Sequence, residues 1–264
     1  MASAEQMAYQ QKVGCTLDTF CYWHSPESFD FVAAAGGSGG DDRWDSNRYA
    51  YSYPQWRERD HGFRPANVVV LGHSFMRRLD SFLTRQHGQH FNLGIDYDRA
   101  FIQYVYVGGL TADRARADYV HYVLSLAPDV VYIELGTNDL CHPRVGPCEV
   151  AERLRSLAMD LVHGGVHLVM VGETIPRASR AIPRVTRGFN DKVMGMNQRL
   201  RQLLDPSTTD STRFWRHRGL QQPNVLCPDG VHLNGLGNQR LYRSVRGAIL
   251  HALSRVRRHL KYYY

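Results

Sequence analysis

Four short polar clusters in this chain could do chemistry together. Ser74 stands in Gly72-His73-Ser74, at the end of an apolar run. A serine in a strand-to-helix turn lifts its hydroxyl clear of the backbone. It also meets the N–H groups and the positive dipole end of the helix that follows. Both features suit a nucleophile whose attack creates an oxyanion; an N-cap serine has the same signature. Gly136-Thr137-Asn138-Asp139 follows a second apolar run, and Asn138 can aim a side-chain N–H at an oxyanion. Gly109 can bring a backbone N–H up beside it, because glycine admits close approach. Turn chemistry alone would also explain both. Asp229-Gly230-Val231-His232 offers a base for a serine hydroxyl and, three residues earlier, a carboxylate to fix its tautomer. The chain has 13 histidines, so a solvated histidine beside an aspartate is an equally ordinary reading of that turn.

These clusters need elements that carry them to one place. Asn67–Leu71, NVVVL, is the β-branched run of a strand buried on both faces, as in parallel sheets. A helix follows over about Phe75–Arg85, and Phe101–Val107 reads as the next strand. Ala112, Ala115, Tyr119, Tyr122, Val123 and Leu126 recur at helical spacing until Pro128. Val130–Leu135 is a third strand; Val150, Leu154, Leu157 and Leu161 mark a helix ended by Gly164-Gly165; Val166–Val171 is a fourth strand. Phe189–Leu204 reads as helix, stopped by Asp205-Pro206, and a less marked fifth strand lies between Arg213 and Leu226. Leu241, Val245, Ile249, Leu253, Val256 and Leu260 define the last helix. Alternating strands and helices imply an α/β fold, a parallel sheet covered on both faces. Its ligand site lies beyond the carboxyl ends of the strands. That edge collects Gly72–Ser74, Gly108-Gly109, Gly136–Asp139 and the loop after Val171.

The ordered series of these blocks resembles the SGNH (GDSL-type) hydrolase superfamily of esterases, lipases and acetylhydrolases, over about residues 65–260. The resemblance implies a flavodoxin-like three-layer α/β/α sandwich on a parallel five-stranded sheet. It implies a serine esterase or acyl hydrolase working through an acyl-enzyme on an ester-linked substrate such as an acetyl ester. Ser74 would be the nucleophile, His232 the base and Asp229 its orienter. The Ser74 N–H, the Gly109 N–H and the Asn138 side chain would form the oxyanion hole. No metal and no organic cofactor is implied. The chain departs from the usual Gly-Asp-Ser of the family by carrying His73, a departure that fits either a tolerated replacement or a weakened domain. The weakened alternative is an accessory or RNA-binding module of the kind that retroelement proteins carry. His73 should point away from Ser74, since adjacent residues on a tight turn diverge. Asp229 should raise the pKa of His232 by favouring the charged ring.

Charge and composition set outer limits. Hydrophobic residues at 43% and charged residues at 22% exclude wholesale disorder and a collagen-like fibre. No apolar run reaches the ~20 residues of a membrane span. The start of the chain has no signal-peptide stretch, which makes an intracellular, cytoplasmic location the expectation. Five cysteines imply no disulfide framework, and Cys141, His142 and Cys148 are spaced too loosely for zinc. The net charge is +7 with only three lysines, Lys12, Lys192 and Lys261, among 32 basic residues. Arginine forks suit carboxylates and phosphates, so an acylated small molecule or a nucleic acid is a conceivable partner; a GC-rich genome produces the same bias. Arg177, Arg180, Arg184 and Arg187 fall in the loop after the fourth strand, as a grip on an anionic substrate or as a solvated segment. Residues 1–64, with AAAGGSGGDD at Ala33–Asp42 and aromatics without periodicity, read as a partly disordered arm before a domain at 65–264.

Overall fold

The structure, a computed structural model, describes residues 64–85, 92–178, 181, 188–207 and 209–260. Strand β1 (Ala66–Gly72) leads through His73 into helix α1 (Ser74–Arg85), and β2 (Ala100–Tyr106) follows. Three consecutive helical pieces, Ala112–Arg114, the π turn Ala115–Tyr119 and Val120–Ser125, together form α2. Then come β3 (Val130–Glu134), α3 (Pro147–His163), β4 (Leu168–Gly172), α4 (Phe189–Leu203), β5 (Thr212–Trp215) and α5 (Gly235–Leu260). The strands lie in the order β2-β1-β3-β4-β5, all parallel.

Alternate strand residues face opposite ways, and both faces are apolar because helices cover both. Val68, Val70, Tyr132 and Met170 meet α1 and α5 on one face. Val69, Leu71, Ile133 and Val171 meet α2, α3 and α4 on the other. This is the expected α/β/α sandwich on five parallel strands. The heptad-like series on α5 is buried from Leu241 to Val256, which welds that long helix across the sheet.

Two expectations differ from the structure in detail. The fifth strand is four residues long, and the stretch up to α5 is loop with one short turn, Pro223–Val225. The helix over 112–126 is interrupted by its π turn, which residue periodicity does not report. The expected arm lies outside the described residues except for Arg64, whose guanidinium holds the buried Asp129 carboxylate at 2.6 and 2.7 Å. Among the described residues no helix is long and apolar enough to cross a membrane.

Candidate active site

β1 ends at Gly72, and the chain turns into α1 across a single residue, His73. Ser74 is the first residue of α1, so its N–H is one of those that a helix start leaves without a carbonyl partner. His73 turns into the protein: it is 2% exposed, its ring lies 4.7 Å from that of Phe75, and its Nδ1 accepts the Phe75 N–H at 3.3 Å. Burial pushes its pKa down to about 4, against the pull of Glu134 and with the push of Arg177 and His232. A neutral, buried histidine therefore packs on Phe75 beside the serine turn.

The loop before α5 brings the histidine over the serine. Leu226 and Leu233 pair as an antiparallel bridge, and the Cys227 N–H donates to the His232 carbonyl at 2.7 Å. Asn234 closes the loop from below. Its amide donates to the Asn224 and Leu226 carbonyls, while its oxygen accepts the Gly237 N–H at 3.0 Å in the first turn of α5. Held this way, His232 Nε2 lies 3.3 Å from Ser74 Oγ, and His232 Nδ1 lies 2.8 Å from Asp229 Oδ2. The other Asp229 oxygen accepts the backbone N–H groups of Val231 and His232 at 2.8 and 2.9 Å. Partial burial pushes the Asp229 pKa up. The N–H groups of His232 and Val231 and the His232 ring outweigh that and leave it below the usual carboxylate range. An ionised Asp229 accepts from Nδ1–H, so the bare Nε2 faces the serine.

The His232 pKa runs opposite to the expectation. It is lowered, because burial outweighs the Asp229 hydrogen bond and because Arg78 and Arg177 add positive charge nearby. The carboxylate acts in the expected direction and is outvoted.

The third block lies at the end of β3. Gly136 has φ +110°, and a Cβ there would lie 2.9 Å from Met196 Cε and 3.0 Å from Thr174 Oγ1, so only glycine fits. Asn138 Nδ2 donates to the Leu110 carbonyl at 3.1 Å, which brings the amide beside the exposed Gly109 at φ +69°. Asp139 ties the same two loops from below: its Oδ1 accepts the Ala112 N–H at 3.0 Å. Burial raises its pKa to about 6, although the Ala112 N–H pulls the other way.

Ser74, His232, Asp229, Asn138 and Gly109 thus gather at one edge of the sheet. Of the loop arginines, Arg177 belongs to this edge, while Arg180, Arg184 and Arg187 lie outside the described residues. Cys148 carries a free thiol. Among the described residues no group of three or more metal-ligating side chains is placed to hold an ion.

Sequence reasoning missed a buried polar knot just behind the site. Glu134 Oε2 accepts from the Tyr132 hydroxyl at 2.7 Å and contacts His217 Nε2 at 3.1 Å; His217 Nδ1 meets Ser244 Oγ at 2.7 Å. The visible signal was a glutamate inside the otherwise apolar run VVYIEL.

Serine, histidine and aspartate at the carboxyl edge of a parallel α/β/α sheet define a class of hydrolases. The chain belongs to the GDSL-like Lipase/Acylhydrolase family, whose model matches residues 70–240. It is accordingly a serine hydrolase of carboxylic esters. No curated protein sequence matches it. Among solved structures it is similar to a GDSL-like lipase from Bacteroides thetaiotaomicron, at 16% identity, with 71% of this chain and 89% of that one covered and a TM-score of 0.55. A carbohydrate esterase family 3 protein from Talaromyces cellulolyticus is 16% identical, covers 72% of this chain and 98% of its own, and has a TM-score of 0.53. An acetyl xylan esterase, AlAXEase, is 18% identical over 69% of this chain and 99% of its own, with a TM-score of 0.54. At these identities the likeness is one of fold.

Proposed function

We propose that this chain cleaves short acyl esters, acetyl esters first among them, with Ser74 as nucleophile, His232 as general base and Asp229 as its orienter. Ser74 Oγ attacks the ester carbonyl carbon as its proton passes to His232 Nε2. The oxyanion is met by the Ser74 and Gly109 N–H groups and the Asn138 amide. Collapse breaks the bond to the alcohol, which leaves with the proton from His232. Water then attacks the acyl-serine, again giving a proton to His232. The second collapse frees the acid and returns that proton to Ser74. The observation that carries this reading is the Asp229–His232–Ser74 relay at 2.8 and 3.3 Å. Hydrogen bonds of a resting site are often long and tighten on substrate. The preference for acetyl leans on the acetyl xylan esterase among the similar folds. His73 in place of the family's aspartate is compatible with activity, since it faces inward and stays neutral.

The test is a series of para-nitrophenyl esters of increasing acyl length, with fluorophosphonate labelling in parallel. Ser74→Ala should lower hydrolysis by about a thousandfold or more, abolish labelling and leave the thermal melt in place. Full activity in a folded Ser74→Ala protein would remove Ser74 from the mechanism. Steep salt-dependent RNA binding without serine labelling would favour the accessory-module reading instead.

A further inference from the structure

Among the described residues, two arginines from different elements stand at this site without an acid. Arg78 lies one helical turn beyond Ser74 on α1, on the same side of the helix. Arg177 follows β4. Its Nη2 donates to Thr137 Oγ1 at 3.3 Å, next to Asn138. The residue after it, Ala178, donates its N–H to the Gly230 carbonyl at 2.8 Å, inside the turn that holds Asp229 and His232. The Nε atoms of Arg78 and Arg177 are both buried without a hydrogen-bond partner. A third such arginine, Arg99, precedes β2 at the opposite end of the parallel sheet. Several arginines elsewhere are paired with acids, as in Arg64–Asp129, Arg116–Asp160 and Arg199–Glu152.

The acids around the site are engaged by other groups. Asp229 serves His232 and two backbone N–H groups, Glu134 serves Tyr132 and His217, and Asp139 serves Ala112. Arg177 is also held ready. Its guanidinium carbon sits 4.8 Å from the centre of the Phe189 ring, and its backbone N–H and carbonyl are clasped by the Asn190 amide at 3.0 and 2.8 Å. Ordering a charged fork before the ligand arrives removes a cost of binding, and burying an N–H donor unpaired is otherwise unfavourable.

We propose, resting on the ester-hydrolase reading above, that the substrate carries an anionic oxygen group, a carboxylate or a phosphate, and that Arg177 and Arg78 receive it beside Ser74. Guanidinium forks match such groups in a bidentate way. The arrangement also answers an electrostatic problem of the resting site. Both arginines push the His232 pKa down, which disfavours the imidazolium that catalysis must form. A bound anion cancels that push at the moment the proton is transferred.

The test compares two matched pairs of esters: para-acetoxybenzoate with its methyl ester, charged on the alcohol side, and para-nitrophenyl hydrogen adipate with para-nitrophenyl hexanoate, charged on the acyl side. The anionic member of one pair should be favoured about tenfold or more in kcat/KM, mainly through KM, and that pair reports which side of the ester carries the charge. Arg177→Gln should collapse the ratio, Arg78→Gln should lower it, and Arg177→Lys should restore part of it. Binding of the anionic esters to Ser74→Ala protein, followed by calorimetry, should weaken in step with Arg177→Gln. Hydrolysis of neutral esters with ratios that neither folded arginine variant changes would overturn the anion site and leave the hydrolase reading standing. Arginine-dependent binding without hydrolysis would keep the anion site and overturn the hydrolase reading. No binding and no preference in either pair would overturn the proposal.

Discussion

His232 takes its character from three neighbours that pull in different directions. Burial, Arg78 and Arg177 hold its pKa below the ordinary histidine value, while Asp229 holds it up. If His232 is the base, the acid limb of kcat/KM should fall below ~6.5, the unperturbed value, because the ring must be neutral to accept the serine proton. Asp229→Asn removes the only upward contribution, so the limb should move further down while the rate drops on the order of a hundredfold, through lost orientation. A pH–rate profile of the two proteins checks both. His73→Ala should leave the limb in place, since His73 faces inward and is already neutral above about pH 4. A limb that vanishes with His73 and survives His232→Ala would exchange their roles. The pairing of Asp229 with His232 could be read from the sequence, because the two are local and share one turn. The balance of charge could not, because Arg78 and Arg177 reach the histidine only through the fold.

The strands and most helices could be read in advance because a buried parallel sheet writes continuous apolar runs, and amphipathic helices write a fixed spacing. The short β5 and the Glu134–His217 knot could not, since each depends on partners far away in sequence, and the π turn in α2 leaves no mark on residue periodicity. Asp139 illustrates the same limit: it reads as a turn residue, and it works as a clamp between the end of β3 and the start of α2. Its folded pKa of about 6 exceeds the usual 3.8. Between those values the native state therefore binds more protons than the unfolded chain, and stability falls as pH rises from about 4 to about 6. A difference of that size is worth roughly 3 kcal/mol at most. Asp80, raised to about 6 by burial against the Tyr106 hydroxyl bond, acts in the same direction. His73, lowered to about 4, acts in the opposite one, losing stability as pH falls from about 6.5 towards 4. Asp139→Asn keeps an acceptor for the Ala112 N–H and removes one of the two falling contributions. The slope of its stability against pH across that window, measured by urea titration at several pH values, should be more positive than that of the unaltered protein. An unchanged slope would mean that Asp139 titrates as an ordinary carboxylate.

At the scale of the whole molecule, the question is where the folded unit begins. The change of texture near Pro65 suggested a boundary there, but composition cannot say which residue anchors the edge. Among the described residues that part falls to Arg64. Its guanidinium makes two bonds to Asp129, at 2.7 and 2.6 Å, and the Asp129 Oδ2 also accepts the Asn67 N–H at 2.7 Å. Asp129 N–H donates to the Asn67 carbonyl at 2.8 Å, so the pair locks the entry of β1 to the entry of β3. The carboxylate side chain is 4% exposed and the arginine 52% exposed. The pair itself adds little, since half of it is solvated, but removing the arginine leaves a buried carboxylate with one backbone donor. That loss should cost about 1–3 kcal/mol. A chain that starts at Arg64 should therefore melt close to the full-length protein, while one that starts at Pro65, or the full chain with Arg64→Ala, should melt several degrees lower. Thermal melts of the three proteins decide the matter. If removing residues 1–63 already lowers the melt as much as losing Arg64 does, the earlier segment contributes to the fold and the domain begins before Arg64.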